Sequence, residues 1–231
     1  MSDRPSGFLS VMADRAPSVD GLDYFPTPPW AGRAGAELIK RLDPDASTCW
    51  EPACGGGHMV HGLRDYFEAV LATDVHEYTP GQALLDFLGA AVADDDTPIA
   101  DWIVTNPPFV LGEAFVRQAW KRARRGVAML LRLSFLEGAA RYRLLYQDCP
   151  LTLCAPFAER VPMVKGHWDP AASSATAYAW FVFDKRDWIA GGALPSPRLW
   201  PIPPGTKARL TKPDDAARFG VAAETPLLEG A

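Results

Sequence analysis

The sequence predicts an open, doubly wound α/β domain built on a mostly parallel sheet. Short apolar runs alternate along the chain with amphipathic stretches, which is the pattern of strands joined by crossover helices. The chain has 231 residues, of which 48% are hydrophobic, so it is long enough for one core of ordinary size. In sheets of this kind, ligands bind in a crevice beyond the carboxyl ends of the strands.

Each element is predicted from its own stretch of sequence. Strands are expected where short apolar runs are bounded by polar or turn-forming residues, and helices where apolar residues recur at helical spacing. The predicted strands are, in order, Thr48–Glu51, Val70–Thr73, Trp102–Thr105, Val127–Leu133, Leu151–Ala155 and Ala177–Phe183. The predicted helices are Ala31–Arg41, His58–Phe67, Glu113–Arg125 and Gly138–Tyr146.

The two ends of the chain are expected to differ from this core. Residues 1–20 are polar, contain Pro and Ser and show no periodicity, which predicts a mobile N-terminal arm. The folded domain is predicted to span residues 21–190. Residues 191–231 form a Pro-rich C-terminal extension, in which we expect no further helix or central strand, because proline fixes φ and lacks a backbone donor.

Charge and membrane signals narrow the possible partners. The net charge of −5 is not typical of a nucleic-acid-binding protein, so binding to a polyanion would depend on a local basic patch. The sequence shows neither a signal peptide nor an apolar run of the roughly 20 residues that a membrane helix needs. We therefore expect a cytoplasmic protein without a membrane partner. The most concentrated basic residues are Arg117, Lys121, Arg122, Arg124 and Arg125, interpreted as a solvated helix face.

No metal site is predicted. Cysteine pairs at CxxC spacing, or cysteines dense enough for a disulfide scaffold, are absent from the sequence. The four cysteines, Cys49, Cys54, Cys149 and Cys154, are therefore interpreted as buried thiols. His58 and His61 lack a partner at metal-ligand spacing and are interpreted as ordinary helix residues.

A glycine-rich turn follows the first predicted strand. The segment Trp50–Met59 places an acidic residue, Glu51, and three consecutive glycines between a strand and a helix. Glycines let the backbone turn tightly and approach a ligand closely, while the N-terminus of the helix offers free N–H groups. Such a turn also serves dinucleotides or is simply a sharp turn, so other features are needed to identify a ligand.

Two acidic residues further along the chain suit an adenosine-containing ligand. Asp74, followed by Val75, ends the second predicted strand, where a carboxylate can accept hydrogen bonds from both ribose hydroxyls. Asp86 and Phe87 can offer an acceptor for an adenine amino group and a face for its ring. The alternatives are a helix-cap or turn role for Asp74, and a turn residue beside a core phenylalanine for Asp86 and Phe87.

The most specific motif is Asn106-Pro107-Pro108-Phe109, directly after the third predicted strand. Two consecutive prolines stiffen the loop and hold the preceding residue in an extended conformation. The Asn106 side chain and the Pro107 carbonyl can then both accept hydrogen bonds from one amino group, while Phe109 offers a stacking face. Two acceptors on an amine position it to attack a methyl group in line, so the motif indicates amine methylation.

Taken in order, these motifs resemble the class I S-adenosylmethionine-dependent methyltransferases, specifically the amino-methylating DNA enzymes with the signature Asn/Asp/Ser-Pro-Pro-Tyr/Phe. The resemblance spans about Tyr24 to Phe183. The segment Tyr24–Trp30 is similar to the one that folds over the methionine end of the cofactor in this family. Its position before the glycine turn matches the γ arrangement, and its Pro-Thr-Pro-Pro sequence is similar to that of small phage or prophage adenine methyltransferases.

The resemblance implies a seven-stranded sheet whose last two strands form a hairpin, here Leu151–Ala155 with Ala177–Phe183, and a further strand within 81–88. It assigns the methionine moiety to Glu51 and the glycine turn, the ribose to Asp74, and the cofactor adenine to Asp86 with Phe87. The predicted cofactor-binding residues are Tyr24, Thr27, Pro28, Glu51, Pro52, Ala53, Cys54, Gly55, Gly57, Asp74, Val75, Asp86, Phe87 and Asn106. The predicted catalytic residues are Asn106, Pro107, Pro108 and Phe109.

The chain departs from this family because no sizeable target-recognition domain is visible in its sequence. The insert between the two hairpin strands, Val161–Thr176, is the best remaining candidate for touching a substrate. The predicted substrate-binding residues are Phe109, Lys165, His167 and Trp168.

The resulting prediction is an S-adenosylmethionine-dependent methyltransferase that acts on N6 of adenine in DNA. Within the same chemistry, the alternatives are adenine in RNA, N4 of cytosine and a glutamine amide of a protein, because Asn-Pro-Pro-Tyr/Phe motifs also occur in methyltransferases of RNA and protein. An alternative from another class is a module on the same fold that binds nucleic acid or a partner without turnover.

Overall fold

The computed structural model describes residues 23–89, 99–187 and 196–219, so the predicted mobile arm, 1–20, lies outside the described residues. The strands are β1 (Thr48–Glu51), β2 (Ala69–Ala72), β3 (Ala100–Thr105), β4 (Ala123–Arg132), β5 (Leu153–Pro156), β6 (Tyr178–Asp184) and β7 (Arg198–Leu199). The α-helices are α1 (Pro29–Leu42), α2 (His58–Leu63), α3 (Gly112–Arg122), α4 (Ala139–Arg143), α5 (Thr206–Leu210) and α6 (Pro213–Phe219).

The described strands form one sheet in the order β2-β1-β3-β4-β6-β5-β7. Strands β2, β1, β3 and β4 are parallel to one another. Strand β6 is antiparallel to both of its neighbours, β4 and β5, and β7 is parallel to β5. The mostly parallel sheet with an antiparallel β5–β6 pair confirms the predicted fold class.

Helices cover both faces of the sheet, as the doubly wound prediction requires. Strand β4 shows the division, since its side chains alternate between the two sides. Ala128 and Leu130 pack in a core with α1 and α2, whereas Val127, Met129 and Leu131 pack in a second core with α3. Both cores are fully buried at these positions, and the sheet therefore presents its strand ends, rather than a face, to ligands.

Three helix predictions are too long at their C-terminal ends. The predicted helix His58–Phe67 ends at Leu63, and Glu113–Arg125 ends at Arg122, where the chain turns directly into β4. The predicted helix Gly138–Tyr146 is α-helical only over Ala139–Arg143, after which a π-helical turn covers Leu144–Asp148.

Two predictions about strands and helices are corrected by the structure. The segment 81–88 forms only a single parallel bridge, between Asp74 and Leu84, so the seventh strand is β7 instead. The expectation that no helix follows Leu194 is wrong, because α5 and α6 lie there. The prolines of this segment are compatible with β7, which lies at the edge of the sheet, where proline is tolerated. They are also compatible with α6, because Pro213 is its first residue, where a missing N–H costs nothing.

The C-terminal segment 196–219 is anchored to the core. Ile202 and Leu210 belong to the core that contains α1. The buried Arg33 guanidinium, on α1, contacts both carboxylate oxygens of the buried Asp215 at 2.6 and 2.8 Å and donates to the Leu210 carbonyl at 2.9 Å. Removing one partner of such a pair leaves a buried charge and typically costs about 3–5 kcal/mol, so this contact fixes α6 against α1.

Other sequence interpretations are also resolved by the structure. All four cysteines are free and buried, as predicted. The basic cluster is not one solvated helix face, because Arg122 is buried and Arg124 and Arg125 lie on β4. Three of its arginines pair with carboxylates, namely Arg117 with Asp148, Arg124 with Asp101 and Arg125 with Asp43. Among the residues that the structure describes, no helix combines the length and the apolar character needed to cross a membrane.

Candidate active site

A cavity of about 430 Å³ opens at the carboxyl ends of β1, β2 and β3, where the fold predicts a ligand. Most of the residues singled out in the sequence line it. These are Tyr24, Thr27, Glu51, Pro52, Ala53, Cys54, Gly55, Asp74, Val75, Asp86, Phe87, Asn106 and Pro108. Pro28, Gly57, Pro107, Phe109, Lys165, His167 and Trp168 lie outside the lining.

The glycine turn is shaped by Tyr24. Gly55 has φ +50° and Gly57 has φ +81°, a region that side-chain-bearing residues rarely adopt. A Cβ atom added to Gly55 would lie 2.5 Å from the Tyr24 ring, whose hydroxyl oxygen accepts a hydrogen bond from the Gly56 N–H at 3.2 Å. The turn is therefore tight because the Tyr24 side chain lies directly on it.

The segment Asp23–Pro28, here called the strap, connects three parts of the site. Asn106 Nδ2 donates to the Phe25 carbonyl at 3.0 Å, and the Phe109 N–H donates to Asp23 Oδ2 at 2.7 Å. On the other side, the Gly166 N–H donates to the Tyr24 carbonyl at 2.9 Å. The strap thus holds the Asn-Pro-Pro-Phe loop, the glycine turn and the β5–β6 insert in one arrangement.

Glu51 is a buried carboxyl group at the end of β1. Its Oε1 accepts hydrogen bonds from the Ala53 N–H, at 3.2 Å, and from the Thr105 hydroxyl, whereas Oε2 has no partner among the described residues. Burial is the largest cause that raises the pKa of the Glu51 carboxyl group to about 8. At neutral pH the group is therefore mostly protonated, and a cation bound at Oε2 would stabilise its ionised form.

The raised pKa of Glu51 predicts a specific pH dependence of stability. Because the folded-state pKa of about 8 exceeds the ordinary glutamate pKa of 4.5, the native state holds an extra proton between these two values. This contribution to stability is fully present below pH 4.5 and is lost as the pH rises through 8, with a slope of up to about 1.4 kcal/mol per pH unit. We expect Glu51→Gln to reduce this slope in denaturant unfolding between pH 5 and 8 without cofactor. Equal slopes in the two proteins would contradict the assignment.

Asp74 and Asp86 differ in their surroundings. Asp74 is buried, and its two oxygens accept from the Gly55 N–H at 2.8 Å and the His76 N–H at 3.1 Å. Burial raises its pKa, although these backbone donors oppose the shift. Asp86 is exposed at the cavity and accepts from the Leu88 N–H at 3.0 Å. Both carboxylates therefore have turn-like backbone contacts and still line the cavity.

Phe87 has a core role in addition to lining the cavity. Its side chain is 2% exposed and meets Trp50 edge-on, with ring centroids 5.1 Å apart, and Phe115 at 5.0 Å. The alternative of a core phenylalanine is therefore correct for most of its surface. Only the part that reaches the cavity is available to a ligand.

The Asn-Pro-Pro-Phe loop presents Asn106 and Pro108 to the cavity, while Pro107 and Phe109 lie outside its lining. Asn106 Oδ1 is buried and has no hydrogen-bond partner within the described part of the chain, although Nδ2 of the same amide donates to the strap. The Phe109 ring lies 4.4 Å from the Arg132 guanidinium and 5.9 Å from the Tyr178 ring. Phe109 therefore lies beside the cavity on the side where β4 ends and β6 begins.

The β5–β6 insert agrees only in part with its predicted role. Lys165 and His167 are exposed and flank Gly166, which is bonded to the strap. Trp168, by contrast, is 2% exposed, so in this conformation almost none of its surface is available to a substrate. An apolar aromatic residue in a polar insert gains more by burial against the domain than by exposure.

The charge of the cavity distinguishes between an anionic dinucleotide and a ligand that carries positive charge. Four acidic side chains line it, Asp23, Glu51, Asp74 and Asp86, and none of its described lining residues is Lys or Arg. A dinucleotide carries an anionic pyrophosphate, which such a wall would repel. The cavity is suited instead to a ligand that carries positive charge.

Several lining residues were missed in the sequence. Asp23 directly precedes the segment Tyr24–Trp30, Phe25 lies inside that segment, and His58 follows the glycine turn, so their neighbours in the sequence could have indicated them. Tyr78 has no such signal, because its position depends on a ring contact with Tyr24, with centroids 4.3 Å apart. The remaining missed residues are Pro26, Met59, Leu85, Leu88, Val110, Leu111 and Phe115.

One group of described residues has the spacing of metal ligands. His61, Asp214 and Asp215 offer atoms that all lie within 4.8 Å of one another. The same side chains already contact two arginines, since Arg33 binds Asp215 and Arg218 lies 3.0 Å from His61 Nδ1. These cationic neighbours oppose a metal ion, and the group instead joins α2 to α6.

Comparisons with known proteins identify the fold. The sequence matches no protein-family model, and no curated protein matches it. A protein from Pyrococcus horikoshii, assigned as an RNA methyltransferase, superimposes with a TM-score of 0.53 and 14% identity over 73% of this chain and 90% of its own. The methyltransferase subunit of a type I restriction-modification system from Streptococcus thermophilus superimposes with a TM-score of 0.54 and 12% identity, over 69% of this chain and 44% of its own. A protein from Vibrio vulnificus, assigned as a modification subunit of a type I restriction enzyme, superimposes with a TM-score of 0.51 and 14% identity, over 84% of this chain and 51% of its own.

These similarities show that the chain has the mixed α/β fold found in methyltransferases. It spans about half the length of the two restriction-system subunits. Since one fold supports many activities, the activity has to be argued from the cavity.

Proposed function

We propose that this chain transfers a methyl group from S-adenosylmethionine to an exocyclic amine, and that the amine is N6 of adenine in DNA. The cofactor is supported by the charge of the cavity. S-adenosylmethionine carries a positive sulfonium and an ammonium group, and the described lining residues provide four acidic side chains without Lys or Arg. When bound, the cofactor supplies an electrophilic methyl group.

Individual side chains fit the parts of this cofactor. Glu51 Oε2, which is buried and unpartnered, can accept from the ammonium group. The Asp74 carboxylate accepts one backbone N–H on each oxygen, which leaves lone pairs for the two ribose hydroxyls. Asp86 is exposed where it can accept from an adenine amino group, beside the part of Phe87 that reaches the cavity.

The observation that carries the proposed reaction is the unpartnered Oδ1 of Asn106. A buried acceptor without a partner costs roughly 1–3 kcal/mol, so an N–H donor is expected to bind there. The hydrogen bond from Nδ2 to the Phe25 carbonyl fixes the amide, which leaves Oδ1 as its free end. Asn106 Oδ1 would hold the amine with its lone pair directed towards the methyl group, whereas Pro107, whose carbonyl is the predicted second acceptor, lies outside the cavity lining.

The target side of the site suits a nucleobase. Phe109, which packs against Phe25 and the buried Tyr178, is partly exposed next to Asn106, where its ring can contact a flipped base. Arg132 is exposed at the same place, with Lys165 and His167 on the neighbouring insert. Arg132 and Lys165 provide local positive charge for a phosphate backbone on a chain whose net charge is −5.

The test is mass spectrometry of nucleosides after incubation of the full chain with S-adenosylmethionine and DNA. We expect N6-methyladenine and no C5-methylcytosine, because methylation of a ring carbon needs a nucleophile and the sequence contains no Pro-Cys dipeptide. If the product is only N4-methylcytosine, the target amine is N4 of cytosine and not N6 of adenine. If the methyl group of the cofactor is transferred only to RNA or to protein glutamine, DNA is not the substrate. If the cofactor binds but no methyl group is transferred to DNA, RNA or protein, the chain is a non-catalytic module.

A further inference from the structure

We propose that His58 binds the carboxylate of the cofactor's methionine end through Nδ1, and that the C-terminal helix α6 positions its ring. The inference rests on the proposed function, since it takes S-adenosylmethionine as the ligand. It gives a role to a side chain that follows the glycine turn and to a segment that the sequence motifs leave without one.

The first argument is the state of the His58 side chain. His58 is the first residue of α2 and lines the cavity, and its Nδ1 atom is buried without a hydrogen-bond partner among the residues that the structure describes. Burial lowers the pKa of the imidazole to about 4, so the ring is neutral at pH 7 and carries one N–H. With that proton on Nδ1, the ring can donate to an anion in the cavity.

The second argument is the charge of the ligand. The carboxylate is the one anionic group of S-adenosylmethionine, and it would enter a cavity lined by four acidic side chains. His58 is the one imidazole among the described lining residues, and neither Lys nor Arg stands beside it. The carboxylate therefore needs a donor at the glycine turn, and His58 provides one without adding a net charge that would repel the sulfonium.

The third argument is the packing behind the ring. Phe219, the last described residue of α6, stacks on His58 with ring centroids 4.3 Å apart and an interplanar angle of 30°. Asp215, one turn earlier in α6, is held by the buried Arg33 at 2.6 and 2.8 Å. Phe219 is therefore a positioning residue, which limits rotation of the imidazole while its own ring stays outside the cavity lining.

The experiment compares two ligands in calorimetric titrations of the full chain. S-adenosylmethionine and its decarboxylated analogue share the sulfonium, the amine and the adenosine, but the analogue lacks the carboxylate. We expect His58→Ala to weaken binding of S-adenosylmethionine by about 10-fold or more, the scale of one hydrogen bond to a charged group, and binding of the analogue by less than about 2-fold. His58→Asn keeps an N–H donor near the position of Nδ1 and should recover much of the loss.

Phe219→Ala provides a second measurement that does not alter the cavity wall itself. Phe219→Ala should weaken the binding of S-adenosylmethionine more than that of the analogue, and by a smaller factor than His58→Ala does. In the His58→Ala background it should cause little further loss of affinity, because both substitutions act through one contact. Equal losses for the two ligands, or no loss for either, would overturn the role of His58. Failure of both ligands to bind the wild-type chain would instead overturn the proposed function, and this inference with it.

Discussion

Replacing Asn106 with alanine is expected to lower the rate of methyl transfer by about 100-fold or more, while the affinity for S-adenosylmethionine stays within a few-fold. The Oδ1 atom has no partner within the described protein, so its proposed contact is made with the target amine. An interaction that matters mainly in the transition state changes the chemical step far more than binding of the cofactor. Single-turnover methylation at saturating cofactor isolates that step.

Asn106→Asp is the matched variant for this experiment. It retains an acceptor on the side chain but loses the Nδ2 hydrogen bond to the Phe25 carbonyl. Partial activity is expected, because the acceptor remains while its orientation is less well fixed. If Asn106→Ala transfers methyl at the wild-type rate, the Asn-Pro-Pro-Phe loop is not the catalytic site. If both variants are equally inactive, the tether to the strap matters as much as the acceptor.

Features that are local in the sequence were the predictable part of this protein. The glycine turn, Asp74 and the Asn106 loop each directly follow a strand, and the parallel strands bring their carboxyl ends to one edge of the sheet. The fold class could be predicted for the same reason, since it depends on the alternation of strands and helices. Recognition of strand ends thus identifies nine of the described lining residues, namely Glu51, Pro52, Ala53, Cys54, Gly55, Asp74, Val75, Asn106 and Pro108.

Contacts between distant residues were not predictable from the pattern. The Phe109 N–H is held by Asp23, and His58 is backed by Phe219, yet neither pair has a spacing that a motif could show. Trp168 illustrates a second limit, because an aromatic residue in a polar insert has the same sequence signal whether it packs inward or contacts a substrate. The helices α5 and α6 could not be predicted from the proline content of 191–231, because proline disfavours the interior of a helix but, as at Pro213, is compatible with its first residue.

Replacing Gly55 with alanine is expected to reduce the affinity for S-adenosylmethionine by about 100-fold or more. From the sequence, a side chain at this turn would be expected to block the space of the ligand, but the structure gives another reason. The added Cβ would lie 2.5 Å from the Tyr24 ring, so it would displace the strap that closes the glycine turn and holds Asn106. Positive φ adds strain, which for alanine is roughly 1–2 kcal/mol.

Gly57→Ala separates this collision from the strain alone. Gly57 also has a positive φ, at +81°, but a Cβ there would meet no atom within 4 Å. We expect it to lower thermal stability while leaving cofactor affinity within a few-fold, as measured by calorimetric titration beside thermal unfolding. Equal losses of affinity in the two variants would show that backbone strain, and not contact with Tyr24, controls the site. In a Tyr24→Ala background the collision is absent, so Gly55→Ala should then weaken binding no more than Gly57→Ala does.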